Sequence, residues 1–593
     1  MRRILRKIMS YIFVLVLIIA MVPLSVSAAD YPVSSGSYAD NVAVPALNSA
    51  SAPFDHFEEA IDLKILGLLA NSPDDFELGR APSRVEGAIM LIRLLGNEDQ
   101  AMQGSSTHPF TDVPSWAGKY ISYMYRNELS KGIGGNLYGS SAPLSAKQYI
   151  TFVLRALGYQ DGTDFDYNQA LDKALELGLL SASDKTIFEN SKTFLRDDMV
   201  SISYDALSVK MKGSSDTLLD KLVNTDKAIF KPAAKVLGLY TSDLEDKYGN
   251  AATASFPMTS SGFVVKSRED LYKLLRKTLC ANDTSVRIDI RGYKGSITDD
   301  FESAFLRANT AAEELSGVEY FVKSWKYRAG TESMVTTFEY RYTKSEYNRR
   351  VENAKVALNR ARYIVANMIT PSMSDFYKEK VLHDYIINNT GYDYQSYLSD
   401  TISEEAYEEY GCLVLGTAVC EGYAKTMKLL CDLSGLECML VVGETINSSS
   451  NEGHAWNIVR IDGEYYHVDV TYDDPISPDG SDILTYQYFN LADNEMALYN
   501  SWNRASYPIC DSTRYNYYNK YGMVASNREA FDKLVLKALD ERRPIIEIKV
   551  KDYSKSNYSN IYDTIYSMDH VKKYSRSIND MSGIIRLSVQ YKS

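Results

Sequence analysis

Three side chains in one stretch of the chain, Cys420, His454 and Asp469, have the types and the order needed for acyl transfer. A thiol attacks as its thiolate, an imidazole can take and return the proton, and a carboxylate can orient the imidazole. Around the cysteine the chain reads Gly416-Thr417-Ala418-Val419-Cys420-Glu421-Gly422-Tyr423-Ala424. The histidine opens the run His454 to Ile461, and the aspartate lies in Glu464 to Thr471. His467 shares the face predicted for His454 and is read as its neighbour, not a participant; His383 is read as a helix-packing residue. No His/Cys pair has C-x-x-C or H-x-x-x-H spacing, so neither a metal nor another cofactor is expected.

The elements that must position these groups are legible in the local pattern. From Cys420 a helix runs to about Leu433, and Gly435 stands where a C-terminal cap belongs. Cys420 therefore sits at a helix N-terminus, whose partial positive charge and unpaired N–H groups lower a thiol pKa and can hold an oxyanion. A short strand, Met439 to Val442, and a polar loop, Gly443 to Gly453, follow. Two alternating strands then flank Asp462-Gly463, a strong signal for a two-residue hairpin. That turn sets Ile461 opposite Glu464, hence His454 opposite Thr471 and Asp469 opposite Trp456. His454 and Asp469 then share a face as diagonal neighbours, roughly 7–8 Å apart at the backbone, a gap their side chains can close. A slip of one residue would separate them onto opposite faces.

Val-Cys-x-Gly-Tyr-Ala (419–424), Gly-His-Ala-Trp-Asn (453–457) and Tyr-His-Val-Asp-Val-Thr-Tyr-Asp-Asp-Pro (466–475), in that order, resemble the transglutaminase-like superfamily. The similarity is to its bacterial exported members and cytokinesis-type branch, over about Glu379 to Ala492. It implies an α+β, papain-like core with Cys420 as nucleophile, His454 as general base and acid, and Asp469 as the orienter. Tyr410, ten residues before the cysteine, would line the oxyanion pocket. Tyr472 stands where many members have tryptophan. The substrate implied is a peptide, a protein or a peptidoglycan stem. Water as acceptor makes a cysteine peptidase or amidase, and an amine makes a crosslinking transglutaminase. Two non-enzymatic readings stay open: a peptide- or glycan-binding module on a surface protein, and an S-layer lattice protein.

The remaining segments suggest where such a site would be delivered. Arg2, Arg3, Arg6 and Lys7, the apolar run Tyr11 to Val22 and Val26-Ser27-Ala28 make residues 1–28 a secretory signal peptide. Residues 29–51 form a low-complexity lead, and no other run is long enough to span a membrane. Within 52–212, three segments each carry a polar cap before an apolar-periodic helix. They resemble S-layer homology repeats, best in the middle copy with Phe110-Thr111-Asp112-Val113 and Trp116. That resemblance implies attachment to secondary cell-wall polysaccharide. Ser83-Arg84-Val85-Glu86, Ser145-Ala146-Lys147-Gln148 and Leu195-Arg196-Asp197-Asp198 stand where the family has Thr-Arg-Ala-Glu, so Arg84 and Arg196 would meet an anionic glycan.

Residues 213–262 read as a linker, 263–344 as a small helix/strand module, and 345–511 as the catalytic domain. Residues 524–593 read as a second copy of the module. Its helix, from Asn527, and strand, Ile546 to Val550, follow those at Ser267 and Val286 to Ile290 at a constant offset of 260 residues. The expected architecture is multidomain: an all-α S-layer-homology-like bundle, then the α+β core flanked by two small α/β modules. A net charge of -13 argues against a nucleic-acid partner, which needs a basic surface. Six cysteines crowd unevenly and are expected to be mostly free, buried thiols. The protein is expected outside the cell, held on the wall or S-layer of a bacterium, with no stable membrane span.

Overall fold

The computed structural model describes residues 54–593 apart from 71–72, 74–75, 192, 241–254, 447–451, 476–482, 559–560, 562–564, 566–567 and 593. The expected signal peptide and lead, and the middle of the expected linker, lie outside the described residues. Among the described residues no helix is long and apolar enough to cross a membrane. The chain forms two compact units, one over 44–371 and one containing 372–593.

In the first unit, the helices Arg84–Leu94, Ala146–Ala156 and Arg196–Ala206, one from each repeat, contact one another. Their starts are set locally: Ser83 with Glu86 and Ser145 with Gln148 close capping boxes, and Asp198 accepts the Leu195 N–H at 2.7 Å. The faces that meet are apolar, with Val85, Leu91, Ile150, Val153, Val200 and Ile202 all buried. Residues read as a linker join this core, through Leu218, Leu219, Leu222, Val223 and Ala234. The 25-residue helix Lys344–Met368, which the sequence groups with the catalytic segment, packs here as well. Ala366 enters the same core, and Arg362 Nε donates to Asp62 at 2.7 Å. This unit also holds a five-stranded sheet: β1 (Met258–Thr259), β2 (Gly262–Val264), β3 (Ser285–Asp289), β4 (Val322–Ala329) and β5 (Ser333–Tyr340), ordered β1-β2-β3-β5-β4.

The second unit begins with the helix Asp375–Asn389 and a short parallel pair, β6 (Gly391–Tyr392) with β7 (Thr417–Ala418). Its central antiparallel sheet comprises β8 (Cys438–Thr445), β9 (Gly453–Ile461), β10 (Glu464–Val468), β11 (Phe489–Leu491) and β12 (Asn500–Trp502). The order is β11-β10-β9-β8-β12. Asp462 and Gly463 both have positive φ, 49° and 88°, the backbone a primed two-residue turn demands and glycine tolerates. Glu464 accordingly faces Ile461. The ladder stops at Val468 opposite Asn457, so Thr471 does not pair with His454 and Asp469 lies just past the strand. The helix Cys420–Ser434 packs on β8 and β9, and Gly435 ends it at φ 81°.

The same unit closes with β13 (Val524–Ala525), β14 (Ile545–Val550), β15 (Val571–Asn579) and β16 (Ile584–Tyr591), ordered β13-β14-β16-β15. The series β2-β3-β5-β4 has the same order, and in both the first pair is parallel and the rest antiparallel. The helices Arg268–Cys280 and Arg528–Asp540 occupy matching places and are both 13 residues long.

Candidate active site

Cys420 is the first residue of its helix, and the extended Val419 before it donates its N–H to the Ala406 carbonyl at 2.9 Å. A Cβ on Gly422 would lie 2.5 Å from that same carbonyl oxygen. Glycine here lets the Glu404–Tyr407 turn lie directly on the first helical turn. The cysteine side is therefore built from three segments: the helix, the β6–β7 pair and this turn. Cys420 is 5% exposed.

His454 starts just inside β9, and its Nε2 lies 2.7 Å from Asp469 Oδ2. The other Asp469 oxygen accepts the Tyr472 N–H at 3.1 Å, and the Asp469 N–H donates to Tyr488 O at 3.1 Å. Both carboxylate oxygens are thus engaged and the orientation is over-determined. The imidazole also hydrogen-bonds with Cys420. Burial disfavours its charged form, but the Asp469 charge and hydrogen bond, with the contribution of Cys420, outweigh this and raise its pKa to about 10. Tyr472 stacks on the ring, centroids 4.4 Å apart and planes 13° from parallel. Asn457 Nδ2 donates to Ala424 O at 2.9 Å, tying β9 to the helix that carries Cys420. A sulfur beside an oriented imidazole, at a helix end whose N–H groups point outward, has the parts for attack on a carbonyl and stabilisation of the resulting oxyanion.

The cleft over these groups is also lined by Tyr392, Tyr397, Tyr407, Thr445 and Glu452. Tyr410 is not among its lining residues; it is half-buried and precedes the Gly411–Leu415 turn. The tyrosines and Glu452 carry no periodic signal in the sequence, and Glu452 falls in what reads as a polar loop. Arg84 and Arg196 lie inside the first unit, not on its surface. The Arg84 guanidinium sits over the Tyr138 and Phe152 rings at 5.3 and 4.8 Å and donates to Ser130 Oγ at 3.3 Å. Arg196 Nε donates to Phe76 O at 2.8 Å, and its Nη1 is 3.7 Å from Glu86.

Two other histidines support the site from behind. His383 bridges Asp384, 3.0 Å from Nδ1, and Asp473, 3.2 Å from Nε2. Burial works against its charge, yet the two carboxylates raise it to about 9. Asp473 N–H donates to Asp469 O at 3.1 Å, so this pairing secures the turn that holds Asp469. His467 Nδ1 accepts the Trp456 indole N–H at 2.9 Å, and its Nε2 lies 2.9 Å from Asp493 Oδ1. Together with Cys510, these form the group among the described residues whose donor atoms lie within 4.8 Å of one another. Acceptance by Nδ1 puts the proton of neutral His467 on Nε2, where it donates to Asp493. The nitrogen a cation would need is therefore already occupied.

Residues 362–470, which contain Cys420, His454 and Asp469, match the family model of the Transglutaminase-like superfamily. The chain is 36% identical over 108 residues to a cell surface protein of Thermoanaerobacter kivui, covering 18% of this chain and 14% of that one. It is 24% identical over 171 residues to the middle cell wall protein of Brevibacillus brevis, covering 27% and 16%. It is 24% identical over 133 residues to the kyphoscoliosis peptidase of Mus musculus, covering 21% and 20%. The chain thus spans no more than 20% of the length of any of these three relatives. Its central segment has a transglutaminase-like core of mixed helix and sheet.

Proposed function

We propose that this chain is an exported bacterial surface enzyme that transfers acyl groups through a thioester on Cys420. The Cys420 sulfur adds to an amide carbonyl, and helix N-terminal N–H groups hold the oxyanion. As the C–N bond breaks, His454 gives its proton to the leaving amine. Water or a second amine then attacks the thioester carbonyl, His454 takes the proton released, and the sulfur departs as the acid or new amide forms. Asp469 keeps the imidazole oriented throughout. The observation that carries this reading is the hydrogen-bonded series Cys420, His454 and Asp469 at one helix end.

The surface setting draws on the leader-like first residues, the repeats and the names of the cell surface and cell wall relatives. In this reading the repeats hold secondary cell-wall polysaccharide and the substrate is a peptide, protein or peptidoglycan stem. The test is a screen of such amides with wild type and Cys420→Ala, plus mapping of iodoacetamide labelling across the six thiols. Turnover by wild type alone, with Cys420 labelled first, is expected. Equal turnover by both proteins, or no preference for Cys420, refutes the proposal.

A further inference from the structure

The cleft beside Cys420 has an unusual charge balance for so small a space. Glu452 is an acid only 3% exposed, held through its carbonyl by the Thr445 N–H at 2.8 Å. Its Oε2 accepts the Tyr397 hydroxyl at 3.1 Å. No lysine or arginine lines the cleft. His454 is the only lining group that can carry positive charge, and Asp469 already balances it. The rest of the wall is largely aromatic: Tyr392 and Tyr397 meet edge-on, centroids 6.2 Å apart, with Tyr407 also in the lining. A cation entering here meets a carboxylate and tyrosine rings, both of which attract it, whereas an anion meets repulsion.

We infer that this cleft seats the ammonium group of a primary amine, with Glu452 taking the charge and the tyrosine rings surrounding the alkyl stem. The class of substrate is one that carries a lysine-like side chain, either as the acyl acceptor or next to the amide attacked. This rests on the proposed acyl transfer at Cys420 and narrows its substrate.

Three methanethiosulfonates test it, one with a trimethylammonium-ethyl group, one with a sulfonato-ethyl group and one with methyl. The rate of Cys420 modification by each is divided by its rate with 2-mercaptoethanol. One carboxylate at close range should favour the cationic reagent over the anionic one by about ten-fold or more. Glu452→Gln should bring that ratio near unity. A wild-type ratio at or below unity, or an undiminished ratio in Glu452→Gln, overturns the amine seat, and the wild-type ratio decides even if the variant does not fold.

Binding is read apart from the sulfur by thermal unfolding of Cys420→Ala with 1,5-diaminopentane or 1,5-pentanediol. The diamine alone should raise Tm, and equal effects of the two overturn the seat. The outcomes separate the two ideas. Labelling of Cys420 without charge preference removes the seat and leaves the thiol chemistry. Diamine stabilisation with an unreactive Cys420 removes acyl transfer and leaves the seat.

Discussion

At the scale of single residues, the three groups should not be equally important. Cys420→Ser replaces a thiol by a hydroxyl that ionises far less readily, and His454→Ala removes the group that moves the proton. Each should cost at least about 1,000-fold in kcat/KM. Asp469→Asn keeps the shape but weakens the hold on the imidazolium, so it should retain more activity than either. The pH profile reports the same interaction. His454 stays protonated until pH rises through about 10, so loss of the general acid should appear as a falling alkaline limb there. In Asp469→Asn that limb should move down toward the ordinary imidazole range near about 6.5. A limb unmoved by the substitution would mean that Asp469 does not hold the proton on His454.

At the scale of elements, Gly422 and Glu86 show how a helix start is secured in each unit. Gly422→Ala would push a methyl to 2.5 Å from the Ala406 carbonyl, and backbone on both sides must shift. A loss of about 1–3 kcal/mol is expected, with slower alkylation of Cys420 because the turn that abuts its helix moves. An unchanged alkylation rate would show that the turn does not position the sulfur. Glu86 closes the capping box at Ser83 and pairs with Arg80 at 2.5 Å. Burial alone would raise its pKa, but the Arg80 hydrogen bond and those of Ser83 lower it to about 2. A depressed carboxyl stabilises the fold above its unfolded pKa, near about 4.5, and that stability is lost as pH falls toward 2. Glu86→Gln should therefore flatten the pH dependence of urea unfolding in this window, by on the order of 1 kcal/mol after solvent screening.

At the scale of the whole molecule, the chain combines a helical repeat bundle, a transglutaminase-like core and two sheets of matching strand order. If the repeats anchor the protein, the full chain should bind wall sacculi and lose binding when their polysaccharide is stripped. Burial of Arg84 and Arg196 changes what their replacement would report. Arg84→Ala removes a guanidinium packed on two aromatic rings, so the double variant Arg84→Ala with Arg196→Ala should unfold at lower temperature than wild type. Sacculus binding must then be compared well below both midpoints. Loss of binding there, in a folded double variant, would support a role in glycan recognition, whereas full binding would limit both arginines to the fold.

What the sequence by itself determined was local. Asp462-Gly463 dictated the hairpin and its register, because left-handed backbone at both positions suits few residue pairs. The run after Val419 dictated a helix beginning at Cys420, and the 260-residue offset marked two elements that fold alike. These signals act within about ten residues, where φ/ψ preference and apolar period are sufficient. The tertiary structure decided the rest. Tyr392, Tyr407 and Glu452 reach one cleft from separate segments, and no spacing along the chain announces such a meeting. Asp469 leaves the ladder after Val468 yet still reaches His454, because Asp473 and Tyr488 fix the turn beyond the strand. Leu218 to Ala234, Arg84 and Arg196 are buried because neighbouring helices close over them, and burial is a property of packed elements, not of any one segment's pattern.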